Sequence, residues 1–386
     1  MKLDLILVIL SLLTWGIGEG MFISFEALYL QELGADPVRI GAILGALGIS
    51  MAIAQAPAGY LSDRVGRKPL LVTAWVLGVL STGLMAWTTS LNWFVVGLLL
   101  YGLTAWVFPP LYSYVSMVRG SLSVGRALTL TSASFHAGAI IGPLLGGWIG
   151  ENWGLRYTFA VAFFIFIVST VMILFIRPQP VEKAQPGERR RDLFKNTRYV
   201  HFLGVILIMM AAMYLPQPLS PNYLQNVHGL DLEMIGRLLS VGSIGIVLLN
   251  LILGQMPVRV GLILAQVAVA GFGVLLWQGA GVFWFGMGYF LLGGYRVAAN
   301  LINAEIRELV TPANMGLAFG VAAGVALFAT VIAPLIAGVL FKQNPAWMYP
   351  VSLGLMLLGI GLSIQFLGQP RESGDLLGRE GLEPVE

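Results

Sequence analysis

The chain contains about twelve apolar stretches, each long enough to cross a lipid bilayer as an α-helix. Crossing the hydrocarbon core takes about 20 residues, since an α-helix rises about 1.5 Å per residue. The predicted spans cover residues 5–28, 38–58, 70–89, 92–117, 125–149, 155–177, 199–224, 234–255, 261–278, 281–304, 315–341 and 348–367. We therefore predict an all-α membrane protein of about twelve transmembrane helices.

The scarcity of charge supports a membrane location. Only 11% of the 386 residues are charged, whereas a soluble protein carries about a quarter, because its surface faces water. The chain has no cysteine and only three histidines, which excludes disulfides and disfavours a metal site. We predict neither a metal nor a cofactor.

The distribution of Lys and Arg predicts the orientation. With the N-terminus inside the cell, seventeen of the 22 Lys and Arg residues fall on the cytoplasmic side and four on the outer side. Positive residues concentrate in cytoplasmic loops of membrane proteins. We therefore predict a multi-pass protein of a bacterial-type cytoplasmic membrane, with both termini in the cytoplasm.

The second half of the sequence repeats the first. Earlier pairs share an offset of 195 residues and later pairs an offset of 191. Examples are Asp36 with Asp231, Gly41 with Gly236, Gly59 with Gly254, Pro143 with Pro334, and Gly147 with Gly338. Two repeated six-helix halves are a transporter architecture. The predicted divisions are a first bundle at 1–177, a cytoplasmic linker at 178–198, a second bundle at 199–367 and a disordered tail at 368–386.

A specific motif lies between the second and third spans. The segment 59–68 has the sequence GYLSDRVGRK, and it resembles the signature loop G-x-L-x-D-R-x-G-R-K of the major facilitator superfamily. A merely positive loop would explain its cations but not the acid and the glycines. The resemblance implies an inner gate in which Asp63 contacts the start of span eleven. The motif residues are Gly59, Asp63, Arg64, Gly66, Arg67 and Lys68.

Span five carries glycines four residues apart at Gly138, Gly142 and Gly146, with Pro143 and Gly147 beside them. Small residues at this spacing allow another helix to approach closely. The run resembles the antiporter motif of the same superfamily, which favours export. Ordinary helix packing is the alternative explanation.

Charged residues inside spans are costly and therefore suggest function. Glu19 and Glu26 lie in span one and Arg296 in span ten. In the superfamily, spans one, four, seven and ten line a central cavity. We predict that Glu19 is the proton-coupling carboxylate and exchanges partners with Arg296, although a static ion pair is the alternative. Glu26 is a second candidate for proton coupling and is expected in an outer vestibule, and His136 is either a proton relay or a hydrogen-bonded core residue.

Further candidates for the substrate cavity come from helical spacing and the same resemblance. Tyr101, Phe108 and Tyr112 fall on one face of span four, and Arg296 begins a polar stripe in span ten. The full candidate set is Trp15, Glu19, Tyr101, Phe108, Tyr112, Tyr214, Gln217, Arg296, Asn300 and Asn303. The arginine that the family usually has in mid-span four is missing between residues 98 and 108.

These features predict a secondary active transporter that works by alternating access. Proton-coupled efflux of amphipathic, drug-like compounds is the main expectation, and proton-coupled uptake of a sugar or organic anion is the alternative. A membrane enzyme or a non-transporting sensor is a distant possibility, since no catalytic cluster or ATP-binding loop stands out. The expected partners are the lipid bilayer, a small-molecule substrate and protons, without nucleic acid, and the chain is predicted to be a monomer.

Overall fold

The structure is a computed structural model that describes residues 3–55, 65–179, 193–310 and 314–368. The helices of spans one to six are Leu3–Phe22 with Glu26–Glu32, Pro37–Gln55, Arg67–Trp87, Leu91–Leu103 with Phe108–Val118, Val124–Trp153, and Leu155–Leu174. Those of spans seven to twelve are Thr197–Tyr214 with Ser220–His228, Leu232–Leu253, Val258–Gln278, Val282–Leu292 with Gly294–Leu309, Met315–Gln343, and Met348–Gly368. No strand occurs in these ranges.

Eleven helical stretches of the described chain are long and apolar enough to cross a membrane. Span ten is the predicted span that falls outside this set. It is divided at Gly293 into helices of 11 and 16 residues, and the second helix carries the polar stripe that begins at Arg296. Each part alone is too short to span, but together they match the length of their neighbours. The chain is a multi-pass, all-α membrane protein, as predicted.

Spans one, four, seven and ten are all interrupted, whereas the described parts of the other eight are continuous. Span one has a 3₁₀ turn at Ile23–Phe25 and span four has one at Thr104–Val107. Span seven breaks at residues 215–219, which include two prolines. Proline lacks the N–H that an α-helix requires in its interior. The interruptions expose backbone and polar side chains within the bundle, as discontinuous helices do around transporter binding sites.

The glycines of span five let it approach span one closely. A Cβ atom at Gly138 would collide with the carbonyl oxygen of Leu13, and one at Gly142 would lie 2.6 Å from the carbonyl oxygen of Ile17. Because both helices meet backbone to backbone, no side chain larger than hydrogen fits. The structure therefore places the predicted small-residue stripe at a helix interface inside the first half.

The two halves meet along two helix pairs that the sequence repeat relates. Gly41 of span two packs on the carbonyl group of Pro334 in span eleven, and Gly236 of span eight packs on that of Pro143 in span five. We call the end where these contacts lie, near the start of span two at Pro37, the closed end. The opposite end, where span ten finishes, is called the open end.

The hydrophobic core follows the same division. One continuous cluster joins both halves at the closed end and includes Leu28, Leu30, Leu219, Leu232 and Tyr349. A second cluster contains only residues from the end of the linker and from the second half, between Leu193 and Phe366. Apolar burial therefore holds the halves together mainly at one end.

Replacing Gly138 by Ala should destabilise the protein, because the new methyl group collides with the span-one backbone. We expect a loss of about 1–3 kcal/mol, the usual cost of overpacking. The measurement is thermal unfolding of the purified protein in detergent. Gly125→Ala is the matched control, since Gly125 lies in the same helix with open space around its Cβ position. Equal unfolding temperatures for the two variants would contradict the predicted close packing.

Candidate functional site

A cavity of about 360 Å³ lies between the halves, beside the interruptions in spans one, seven and ten. Spans two, five and eight complete its wall. Its charged or polar side chains from the first half are Glu19, Ser24, Glu26 and His136, and those from the second half are Tyr214, Gln217, Ser220, Ser243, Tyr289, Tyr295 and Arg296. The acids therefore come from one half and the guanidinium from the other.

The Glu19 carboxylate is oriented by a layer of aromatic side chains behind it. The indole Nε1 of Trp15 donates a hydrogen bond to Glu19 Oε2 at 3.1 Å, and the Tyr101 ring stacks on Trp15 with ring centroids 6.3 Å apart. Trp15 stacks on Phe166 with ring centroids 4.0 Å apart. Trp15 and Tyr101 were predicted in the cavity wall. The structure places them one layer back, where they fix the position of Glu19.

Glu26 lies just beyond the 3₁₀ turn of span one and lines the same cavity as Glu19. Its Oε2 atom is buried and has no hydrogen-bond partner in the described part of the chain. The two carboxylates interact electrostatically. Since an unpaired charge buried in an apolar medium is unfavourable, this side chain is suited to accept a proton or a cationic group.

Arg296 faces the carboxylates from span ten and is exposed within the structure. It interacts electrostatically with Glu19 and His136. Among the described residues it forms no ion pair, so the predicted pairing with Glu19 is not made in this conformation. The guanidinium is therefore available to a solute or to a rearranged carboxylate.

The proton-coupling candidate His136 of span five and the predicted cavity residues of span seven also lie in the wall. His136 is half-buried beside Phe135, with ring centroids 5.5 Å apart. Gln217 lies in the break of span seven and donates to the carbonyl of Met213 at 2.7 Å, and Tyr214 lies just before that break. The break thus brings backbone and amide groups to the cavity.

The aromatic residues of span four, which were predicted on one face, differ in their exposure. Tyr101 is buried, whereas Phe108 and Tyr112 are exposed. The 3₁₀ turn between them changes the residue spacing, and the helix restarts at the Pro109–Pro110 pair. Phe108 and Tyr112 pack against each other with ring centroids 6.3 Å apart, and Tyr112 interacts electrostatically with Arg296.

The polar stripe of span ten continues towards the open end. Asn300 donates to Asn250 Oδ1 at 2.8 Å, and Asn303 is exposed one turn further on. Both asparagines lie outside the cavity wall itself. They extend a hydrophilic surface from Arg296 to the end of the span.

Half of the inner-gate motif, namely Gly59, Asp63 and Arg64, lies outside the described residues. Gly66 precedes span three with φ of +88°, a conformation that favours glycine. Arg67 and Lys68 begin the helix and are half-buried. The glycine therefore makes the sharp entry that the motif requires.

Several wall residues were not predicted from the sequence, notably Ser24, Tyr289 and Tyr295. Tyr295 could have been found because it adjoins Arg296. Tyr289 bonds to Ser220 at 2.9 Å across the broken spans seven and ten, a pairing without a local sequence signal. The described residues contain no cluster of His, Asp and Glu that could bind a metal.

Solved structures share this fold over nearly the whole chain. The crystal structure of the nucleoside transporter NupG has a TM-score of 0.79 at 16% identity, covering 95% of this chain and 99% of that one. A bacterial homologue of the human lysosomal transporter Spinster, in an inward-facing and occupied conformation, has a TM-score of 0.74 at 13% identity and covers 94% and 96%. This chain therefore shares the overall fold of these transporters.

The family model of the Major Facilitator Superfamily matches residues 6–300. This chain belongs to that superfamily, as the motif between spans two and three indicated.

Curated relatives include pumps of that family. The multi-drug resistance efflux pump PmrA of Streptococcus pneumoniae is 27% identical over 216 residues, and the match spans 53% of each protein, about half of the pump's length. Multidrug resistance protein 2 of Bacillus subtilis is 23% identical over 375 residues, 90% of this chain and 91% of the relative.

Cysteine labelling can test which end of the cavity is accessible, because the natural chain has no cysteine. Asn303→Cys, at the open end, should react rapidly with a water-soluble thiol reagent in detergent. Asn222→Cys, which is buried between spans one and seven at the closed end, should react at least about tenfold more slowly. Similar rates at both positions would contradict a cavity sealed at one end.

Proposed function

We propose that this protein is a proton-coupled secondary transporter that expels small amphipathic compounds from the cell by alternating access. The relatives named as multidrug efflux proteins support this function. So does the cavity, which combines aromatic and apolar surface with two carboxylates. The sequence has no recognisable ATP-binding loop, so an ion gradient is the proposed energy source.

The proposed orientation assigns a direction to the observed state. If both termini are cytoplasmic, the open end faces the cytoplasm and the closed end faces outward. The conformation is then inward-facing, as is that of the solved Spinster homologue. A solute would enter from the cytoplasm, and the Asp63 motif would latch the open end once the halves rock.

Proton coupling is assigned to Glu19. One observation carries this proposal: Glu19 lines the cavity and has no ion-pair partner among the described residues. A charged carboxylate at this depth is costly, whereas the protonated form is not. The hydrogen bond that Trp15 donates holds the Glu19 carboxylate in place within the cavity. Proton uptake from outside and release to the cytoplasm at Glu19 would then drive export of a cationic solute that competes for the same carboxylates.

Uptake or exchange of an organic anion is the second candidate. It is favoured by the Arg296 guanidinium, which faces the cavity and suits carboxylate or phosphate groups. The structural neighbours include the nucleoside transporter NupG and the human organic anion transporter MFSD10, the latter with a TM-score of 0.66. Competition by lipophilic cations would support the first candidate, and competition by organic anions alone would support the second.

Glu19→Gln should reduce solute accumulation driven by a pH gradient by at least about tenfold, because the amide cannot exchange a proton. The measurement is transport into proteoliposomes with and without the gradient. Glu32→Gln is the matched control, since Glu32 lies at the exposed end of the same span. Unchanged gradient dependence in Glu19→Gln would remove this residue from the coupling mechanism.

A further inference from the structure

Two of the polar contacts that join the halves at the closed end lie between helix ends, whereas Gln31 of span one bonds there to Asn222 and Asn226 of span seven. Glu151, at the end of span five, accepts a hydrogen bond through Oε2 from the backbone N–H of Leu232 at 2.9 Å. Lys342, at the end of span eleven, donates through Nζ to Asp36 Oδ2 at 2.9 Å. Each contact therefore links the last turn of one helix to the start of a helix in the other half.

The sequence repeat makes these contacts equivalent. Lys342 is the repeat position of Glu151 at the offset of 191, and Asp36 with Pro37 are the repeat positions of Asp231 with Leu232 at the offset of 195. The same offsets relate the glycine and proline contacts beneath them. The two contacts therefore lie at equivalent positions of the two halves. The contacting side chain is negative in one, Glu151, and positive in the other, Lys342.

The local backbone explains why the charge differs. The first N–H groups of a helix lack intrahelical partners, so Leu232 can donate to a carboxylate, while Asp231 already accepts from Met234 N–H at 2.6 Å. Pro37 has no N–H to donate. A glutamate at position 342 would therefore meet the carboxylate of Asp36 without a donor, whereas lysine forms an ion pair.

The Asp36 carboxylate is held in its charged form. Its Oδ1 accepts from the backbone N–H of Arg39 at 2.8 Å, and this bond, followed by the Lys342 contact, lowers the pKa of Asp36. The side chains of Lys342 and Asp36 are 58% and 51% exposed. An ion pair so exposed is weak, and a weak contact can break and re-form during a transport cycle.

We propose that the Glu151–Leu232 and Asp36–Lys342 contacts form a paired outer clamp that biases the molecule towards the state in which the closed end is sealed. This inference rests on the alternating access of the proposed function. The clamp holds the halves after the glycine contacts bring them together, and both of its contacts separate when the closed end opens.

Distance measurement between spin labels tests the clamp directly. Labels at Thr89→Cys and Ala280→Cys would report on the closed end, because these exposed residues lie in the loops before spans four and ten. Glu151→Ala and Lys342→Gln, which remove the acceptor and the cation respectively, should each raise the population with the longer label distance by about two- to fivefold, as expected for a weak exposed contact. The double variant should show the product of the two effects.

Glu233→Gln is the matched control, since Glu233 pairs with Arg237 within span eight and not with the first half. A double variant whose distance distribution equals that of this control would overturn the clamp. Solute transport is measured on the same samples. A shifted distance distribution without any solute transport would support the clamp and contradict the proposed function. Solute transport without a shifted distribution would support the proposed function and contradict the clamp.

Discussion

The arrangement of the molecule depends on the direct backbone contact between its halves at the closed end. Gly41 against Pro334 and Gly236 against Pro143 leave no room for a side chain, so four helices converge there. These helix pairs stay in contact as far as Gly48 with Thr330 and Ser243 with Ala139, and the cavity lies between the halves beside them. Because these contacts join one half to the other, the halves can rock about the cavity without unpacking their own cores.

The interrupted spans give this cavity its chemistry. A continuous helix satisfies its own backbone groups and offers only side chains, whereas a broken one presents backbone, proline and amide groups at membrane depth. Glu19 and Glu26 flank the break of span one, Gln217 lies in that of span seven, and Arg296 follows that of span ten. Acids on one half and a guanidinium on the other make the cavity responsive both to protons and to the relative position of the halves.

Much of the fold could be predicted because each span is a long local signal. The predicted spans agree with the helices to within a few residues, and prolines lie beside the break in span four and within the break in span seven. The break in span one has no proline or glycine at Ile23–Phe25, and it depends on packing that no local pattern encodes. Packing also explains why Trp15, which was predicted in the cavity wall, lies one layer further from the cavity than Glu19. The outer clamp could not be predicted, because its contacts join helix ends that lie far apart in the sequence. The sequence repeat identified only that Asp36 and Asp231 are equivalent positions.

The central claim is that the cavity binds a solute and carries it across the membrane as the halves rock. Counterflow in proteoliposomes tests this most directly, since unlabelled solute trapped inside drives labelled solute inward without any ion gradient. We predict transient accumulation of a lipophilic cation above its equilibrium level. Equal labelling of vesicles with and without the folded protein, across a panel of cations, organic anions and sugars, would contradict the claim.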